Sequence, residues 1–356
     1  MDGKVIFISN MIGNGGAGRV MNLLANYLVT CKYDVTICSY SGFDEAYKMS
    51  NEIKKVSIET KCKNQVIQKI QRIFYLRKIF KGNPETPIIA FEYFINMQTI
   101  LASLFLKNKV IISERNNPGE LDSRMHMKIF RDILYRFADV LVCQTPDAQN
   151  YFSSHIKKKS IVIPNPLIEK LPERYTGIRK KVIVNFCRLE PQKNLKMLLD
   201  ACDLLFKEYE EYSLSIYGNG SEKERLLQYL EEKGISDKVK IYDFTLNIHE
   251  KIRNCSIYAS SSDYEGISNS MLEALGMGLP TVVTDCPCGG AKMYITSYEN
   301  GILVPVGDAT AMYKAMKYII DHPEKSEYMS ENAIKIKKML NAENIYSRWM
   351  KLLEMS

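Results

Sequence analysis

Two successive doubly wound α/β domains, each a parallel sheet covered on both faces, are predicted from three observations. The chain of 356 residues is too long for one ordinary core and suits two domains of roughly 150 residues each. Short apolar, β-rich runs alternate with helical patterns along its length, as parallel sheets require. The alternation stops once, at the aperiodic stretch "IPNPLIEKLPERYTG" (Ile163 to Gly177) with its three prolines, and then restarts. At 46% apolar and 25% charged residues the composition is that of a folded globular chain rather than a disordered one.

The first strand is "KVIFIS" (Lys4 to Ser9), followed by a glycine loop and the helical pattern "RVMNLLANYL". "DVTICSY" and "PIIAF" read as further strands, with the amphipathic "NQVIQKIQRIFYLRKIF" between them. "KVIISE", "DVLVCQ" and "KSIVIPN" continue the series with helices between. After the linker, "KVIVNF", "YSLSIYG", "KVKIYDF", "SIYAS", "PTVVTD" and "GILVPV" each lead into a turn or helix. The expected domains are 1–165 and 166–340. The last helix, within 341–356, carries the only tryptophan, Trp349, and is expected to pack back on the first domain. There is no fixed-period repeat and no low-complexity tract.

Lysine and arginine outnumber acids clearly in the first half, while the second half is close to neutral. That asymmetry suggests an anionic partner, such as a membrane surface, a phosphate-bearing acceptor or nucleic acid; the alternative is a solvated lysine-rich surface. The nine cysteines are scattered, several inside strand-like runs (Cys38, Cys143), as buried reduced thiols are. Cys286 and Cys288 form one isolated Cys-x-Cys, which argues against a zinc site. No signal peptide opens the chain, and the longest apolar run, around Ile100 to Leu106, is far short of the ~20 residues that span a bilayer. A cytosolic protein is expected.

"GNGGAG" (Gly13 to Gly18) matches G-x-G-x-x-G between a strand and a helix, which invites a dinucleotide-binding reading. The second strand, however, ends in Ser39 and Tyr40, with no carboxylate to hold a ribose. A tight turn that needs positive φ is one alternative. Another is a set of backbone N–H groups, at Gly15 and Gly16, that take a phosphate at a helix start.

Three stretches of the second domain lie at carboxyl ends of strands, where doubly wound sheets bind ligands. "NFCRLEPQKNL" sets Arg188 and Lys193 five residues apart just before a helix. "SIYGNGSEKERL" offers Gly218 and Gly220 between a strand and a helix. "SSDYEGISNSMLEALGMGLP" holds Glu265 and Glu273, the first before a helix-like run and the second inside it. The conjunction of "RLEPQKN" with the Glu-pair segment at this distance resembles the retaining glycosyltransferases of family 4, over the length from the glycine loop to about Val306. "GGAGRVMNLLANYL", "ISERNNP" and "IPNP" look most like bacterial enzymes that build polysaccharide repeat units on lipid carriers. "EGISNSMLEA" and "TDCPCGG" resemble galactosyl- or N-acetylgalactosaminyltransferases.

The resemblance implies a GT-B fold, two Rossmann-like domains facing a central cleft, and transfer of a hexose or N-acetylhexosamine from a UDP-sugar. The acceptor it implies is a glycan on a polyprenyl diphosphate at the inner face of the membrane, not nucleic acid. Departure of the nucleotide concentrates charge on its diphosphate. Arg188 and Lys193 suit that charge, as a planar fork and a mobile ammonium near a helix start. No Asp-x-Asp occurs to hold a divalent ion, so neither metal nor other cofactor is expected. Glu273 would grip the ribose hydroxyls, Asn269 and Ser270 would offer N–H groups to the diphosphate, and Glu265 beside Gly266 would meet the donor sugar. Gly218 and Phe244 complete the expected donor site, with Phe244 near the uracil, and Gly16 approaches the donor phosphate. A second reading of Glu273 exists, because Ser270 to Glu273 spells the S-x-x-E capping box.

Departures from the family sit mainly in the first domain. Many members carry a histidine where this chain has Glu114, Arg115 and Asn116; Arg115, Asn116 and Gly15 are therefore the acceptor-side candidates. Asp243 stands where a glycine is usual, and Met293 where an acid is common. His126 reads as a surface residue. "NQVIQKIQRIFYLRKIFKG" is amphipathic and basic, with Lys69, Arg72, Arg77 and Lys78 alongside Ile70, Ile73, Phe74 and Phe80. It is either an ordinary crossover helix or an interfacial helix that touches anionic lipid. Two other functions stay open: a UDP-sugar epimerase of the same fold, and a catalytically silent sugar-nucleotide-binding partner of a transferase.

Overall fold

The computed structural model describes residues 3–10, 15–43, 48–60, 62–121 and 123–354. The chain divides into two compact units, Met1–Pro166 with Glu343–Ser356, and Leu167–Ala342. Both are α/β units built on a parallel sheet, as the alternation of runs predicts.

The first unit contains β1 (Lys4–Ser9), β2 (Asp34–Ser39), β3 (Lys54–Ser57), β4 (Ile88–Phe91), β5 (Val110–Ser113), β6 (Val140–Cys143) and β7 (Ser160–Val162). Their order in the sheet is β3-β2-β1-β4-β5-β6-β7. Every residue of β4 and β5 is buried, which is why these strands read as unbroken apolar runs. β3 is the exception. It is an edge strand, "KKVS", with Lys54 and Lys55 exposed, so no apolar run announces it.

The crossovers are α1 (Gly16–Thr30) after β1, α2 (Gln65–Gly82) after β3, α3 (Tyr93–Ser103) after β4 and α4 (Met125–Leu134) after β5. Right-handed connections put α2, α3 and α4 on the sheet face opposite α1. Asn64 caps α2, its side chain accepting from the Val66 and Ile67 N–H groups at 2.9 and 3.3 Å. The helix buries Leu76 and Phe80 and leaves Val66, Ile67, Ile70 and Phe74 exposed. Of its four basic residues named above, Arg77 donates to the Ala102 and Leu104 carbonyls and Arg72 lies over the Tyr40 ring.

The second unit contains β8 (Lys180–Phe186), β9 (Ser213–Tyr217), β10 (Val239–Tyr242), β11 (Cys255–Ser260), β12 (Thr281–Thr284) and β13 (Ile302–Val304). Their order is β10-β9-β8-β11-β12-β13. Ile183, Leu214, Ile216, Ile257 and Val282 from the sheet meet Leu198, Leu205, Met312 and Met316 from the flanking helices in one buried cluster. Residues Ile163 to Gly177 form neither helix nor strand, and the Leu167 N–H donates to the Leu340 carbonyl at 3.0 Å. In both sheets the strand order runs outward in two directions, from β1 and from β8. Ligand sites of doubly wound sheets lie at the carboxyl ends beside such reversals.

All nine cysteines are free, with Cys38 and Cys143 buried. No helix among the described residues is long and apolar enough to cross a membrane.

The C-terminal helix, Ala342–Glu354, belongs to the core of the first unit. Trp349 is fully buried and its ring lies 5.6 Å from that of Phe91. Tyr346 lies 4.8 Å from Tyr27 of α1, and Arg348 donates to the Val162 carbonyl. We expect Trp349→Ala to cost about 3–5 kcal/mol, the usual range for emptying a large aromatic site. Chemical denaturation followed by far-ultraviolet circular dichroism checks this.

Candidate active site

In the second unit, the loops that leave β8, β9 and β11 are packed backbone against backbone. The Cys187 N–H donates to the Tyr217 carbonyl at 3.0 Å, and the Leu189 N–H to the Asn219 carbonyl at 2.9 Å. A Cβ at Gly218 would stand 1.8 Å from the Cys187 oxygen, and one at Gly220 2.3 Å from the Leu189 oxygen. Glycine is therefore obligatory at both positions for the two loops to close on each other. Arg188 projects from this layer, exposed, at the end of β8.

Lys193 ends a short 3-10 turn, Pro191–Lys193. Asn194 follows in the left-handed region (φ 41°) and caps the helix Leu195–Phe206. That turn is laced to the loop after β11. The Ser261 hydroxyl donates to the Lys193 and Asn194 carbonyls at 3.0 and 2.9 Å, and Asn194 donates to Asp263 at 2.7 Å. Gln192 reaches the Tyr264 carbonyl at 2.7 Å. The result is a direct ion pair between Lys193 and Glu265, whose side chains are 11% and 14% exposed. Ser262 also donates to Glu265, at 2.9 Å. Burial on its own would lower the Lys193 ammonium, but the Glu265 carboxylate overrides it and holds the group above its ordinary value.

Glu265 is fixed through its backbone as well. Its N–H donates to the Pro287 carbonyl at 2.7 Å, and its own carbonyl accepts from Cys288 N–H at 2.8 Å. A Cβ at Gly290 would lie 1.9 Å from the Gly266 oxygen. Cys286 and Cys288 are both buried in this layer.

The helix Asn269–Gly276 begins at Ser268, whose hydroxyl accepts from the Met271 N–H at 3.4 Å. Ser270 is the second helical residue and accepts from the Tyr258 hydroxyl at 2.9 Å. The Ser270–Glu273 capping box is thus not formed, because the helix starts too early for Ser270 to be its cap. Asn269 and Ser270 do occupy the first turn. Glu273 is 3% exposed and its carboxylate lies 2.7 Å from His249 Nε2. The His249 and Phe186 rings in turn stand perpendicular to each other, with centroids 6.3 Å apart. His249 lies in no recognisable motif, on a helix of only five residues, Ile248–Ile252, and nothing in the sequence signals its pairing with Glu273. Phe244 is exposed beyond β10, next to Asp243, which pairs with Lys223 at 2.7 Å.

In the first unit Gly15 precedes α1 with φ 101° and accepts from Arg19 N–H at 3.1 Å; Gly16 opens the helix. A side chain at Gly15 would meet nothing within 4 Å, so backbone conformation and not crowding selects glycine there. Gly13 and Asn14 lie outside the described residues. Arg115 and Asn116 follow β5. Asn116 donates to Glu120. Arg115 stacks on Phe91 and bonds to Ser113 and Asn165. Glu114 turns the other way, buried under the Tyr135 hydroxyl; desolvation pushes its carboxyl up, against the pull of Arg131. His126 is exposed. Among the described residues no three of His, Cys, Asp or Glu converge in a way that could hold a metal ion.

Residues 173–336 match the family described as "Glycosyl transferases group 1". This segment is a group 1 glycosyltransferase domain. The protein is accordingly a glycosyl-transferring enzyme, and its fold is GT-B. Over 98% of both chains it is 25% identical to the GalNAc-alpha-(1->4)-GalNAc-alpha-(1->3)-diNAcBac-PP-undecaprenol alpha-1,4-N-acetyl-D-galactosaminyltransferase of Campylobacter jejuni. It is 25% identical to the amylovoran biosynthesis glycosyltransferase AmsD of Erwinia amylovora, over 84% of this chain and 87% of that one. The solved structure of Anabaena HepE in complex with UDP matches with a TM-score of 0.81 at 16% identity, over 99% of each chain.

The glycine layer beneath Arg188 generates a stability prediction. Gly218→Ala is expected to cost about 2–4 kcal/mol, since the backbone of one loop must move. Gly234→Ala, at a helix C-cap with φ 68° and no neighbour within 4 Å, should cost only about 1 kcal/mol. Equal losses in urea denaturation would show that the close approach is not what constrains Gly218.

Proposed function

We propose that this glycosyltransferase is a retaining, metal-independent enzyme that moves a hexose or N-acetylhexosamine from a UDP-sugar to a glycan on a polyprenyl diphosphate. Assembly of capsule, exopolysaccharide or O-antigen at the inner face of the cytoplasmic membrane is the setting. The observation that carries the reading is the pair of little-exposed carboxylates, Glu265 and Glu273, on either side of the first turn of Asn269–Gly276. The named substrate of the Campylobacter relative, a diphosphate of undecaprenol, and the crystallised complex of HepE with UDP-glucose support the choice of acceptor and donor.

In this reading Glu273 accepts from the ribose hydroxyls, and the helix start at Asn269 and Ser270 faces the diphosphate. Glu265, beside Gly266, meets donor-sugar hydroxyls; Gly218 and Phe244 line the nucleotide; Gly15, Gly16, Arg115 and Asn116 serve the acceptor side and the donor phosphate. The acceptor oxygen bonds to the anomeric carbon on the face from which the diphosphate leaves. The acceptor proton passes to the departing phosphate oxygen. Lys193 trades part of its contact with Glu265 for that oxygen, while exposed Arg188 adds the second positive charge.

Incubation with UDP-sugars, with and without a polyprenyl-diphosphate-linked acceptor and in excess chelator, tests the function. We expect acceptor-dependent UDP release that chelator does not abolish. A new sugar nucleotide without UDP would identify the epimerase, and binding without turnover the silent partner. Lys193→Met should lower kcat by about 10²-fold or more, because its charge matters most as the diphosphate departs. Glu273→Gln should mainly weaken UDP itself, since ribose contacts are equal before and during reaction. Unchanged UDP affinity in Glu273→Gln defeats the ribose assignment.

The membrane face of this reading rests on α2 and α4, which both pack against α3. Ile70 and Phe74 on α2 and Ile129, Phe130 and Ile133 on α4 are exposed, with Lys69 and Lys78 among them. Sedimentation with vesicles should be strong for anionic lipid, weak for neutral lipid, and lost in the doubly substituted Phe74→Glu, Phe130→Glu chain. Equal sedimentation of that variant and the natural chain would remove these helices from the membrane contact.

A further inference from the structure

Arg115 is a half-buried charge near the carboxyl ends of the first sheet, and the partners it meets there are all neutral. Its guanidinium lies 4.5 Å over the Phe91 ring at the end of β4. Nη1 donates to the Ser113 hydroxyl at 3.4 Å, and Nη2 to Asn165 Oδ1 at 2.5 Å. That same oxygen also accepts from Gln144 Nε2 at 2.6 Å, so Asn165 is anchored and holds the fork in one orientation. Nε is buried with no acceptor. Among the described residues no carboxylate forms an ion pair with Arg115. Its neighbour Glu114, the acid nearest in sequence, is taken by Tyr135.

Arg131 in the same unit is an internal control. It is fully buried where Arg115 is half-buried, and it pairs with Asp132 at 2.9 Å and donates to the Pro118 carbonyl at 2.7 Å. Burial pulls both guanidinium groups down. For Arg131, Glu114 and Asp132 more than offset it and leave the group above its ordinary value. For Arg115 nothing offsets it, and the group is pulled down to about 9. A guanidinium desolvated without a counter-charge is costly to the fold. The fold that gives Arg131 a carboxylate partner leaves Arg115 without one at the end of the sheet where ligands bind.

We propose that Arg115 is a phosphate receptor, whose missing counter-charge is an oxyanion of the substrate. The planar fork, with one side on Phe91 and two donors already engaged, retains further N–H groups to meet phosphate oxygens in its plane. The transferase reading names the two sources of that phosphate, the diphosphate of the lipid-linked acceptor and that of the donor, and the identity of the source rests on it. The acceptor diphosphate is the assignment, because Arg115 is an acceptor-side candidate of the first unit, and of the residues assigned to the donor only Gly16 belongs to that unit.

The test compares the full chain with Arg115→Met and Arg115→Lys. Met keeps the length and the contact with Phe91 and deletes the charge; Lys keeps the charge and deletes the fork. Calorimetric titration with inorganic pyrophosphate and with UDP needs no turnover. KM is then measured for an acceptor glycan on a diphosphate-linked lipid and for the same glycan on a neutral alkyl group. Losing one hydrogen-bonded charged contact predicts a weakening of about ten-fold or more in Arg115→Met, part of it recovered in Arg115→Lys. A loss for pyrophosphate and for the diphosphate-linked acceptor alone supports the proposal as stated. A loss toward UDP keeps the receptor and moves its source to the donor. Identical titrations and KM values in the natural chain and Arg115→Met overturn it. So does a lowered Tm of Arg115→Met with unchanged anion affinity, which would make Arg115 a residue of the fold. A chain that binds UDP and transfers no sugar would sink the transferase reading, and the pyrophosphate titration would still decide Arg115.

Discussion

A parallel strand pair cannot be closed by a hairpin, so each connection in these two sheets must cross a whole sheet face before the next strand begins. The crossovers bury both faces, and little is left for chemistry except the edges where strands end. At β1 and β8 successive connections leave in opposite directions, so the loops on either side part company instead of covering one another. Arg188, Lys193, Gly218 and Glu265 all come from such strand ends, drawn from stretches far apart in sequence. The tight backbone stacking at Gly218, Gly220 and Gly290 converts those separate loops into one rigid layer.

Charge is handled differently within and outside that layer. Lys193 and Glu265, or His249 and Glu273, sit within contact of each other and are little exposed. Each pair keeps its members oriented without help from a ligand. Pairs of this kind add little net stability compared with apolar replacements, but removal of one member leaves an expensive orphan. They are therefore well suited to keep reactive groups in place. Arg188, in contrast, stands in solvent at a strand end, and a diphosphate reaching it would exchange water for charge at small desolvation cost.

How much of this is legible in the sequence varies with the range of the interaction. Strands buried on both faces declare themselves as apolar runs, and the α/β fold follows from their alternation with helices. β3 does not, because an edge strand carrying Lys54 and Lys55 has no apolar face to show. Glu273 is visible as a carboxylate in a helix, but the local S-x-x-E spacing suggests a cap that the structure assigns to Ser268 instead. Two serines two residues apart compete for that role, and the tertiary contact of Ser270 with Tyr258 cannot be read from spacing. His249 escapes sequence reasoning for the same reason: its partner lies 24 residues away and no local pattern links them. α2 reads as either a crossover or a lipid-facing helix, and its burial of only Leu76 and Phe80 shows why periodicity alone does not choose.

The return of the C-terminal helix to the first unit makes the second unit an insertion in the first. During synthesis Phe91 and Tyr27 leave the ribosome long before Trp349 and Tyr346, the side chains that cover them. The second unit, continuous in sequence from Leu167 to Ala342, already has all its strands at that point. The half of the protein made first is thus the half finished last, and its apolar surface waits uncovered through translation of the entire second unit. For a nascent chain this is a window for chaperone capture or aggregation, and any truncation near the C-terminus leaves the older half, not the newer, with an open core.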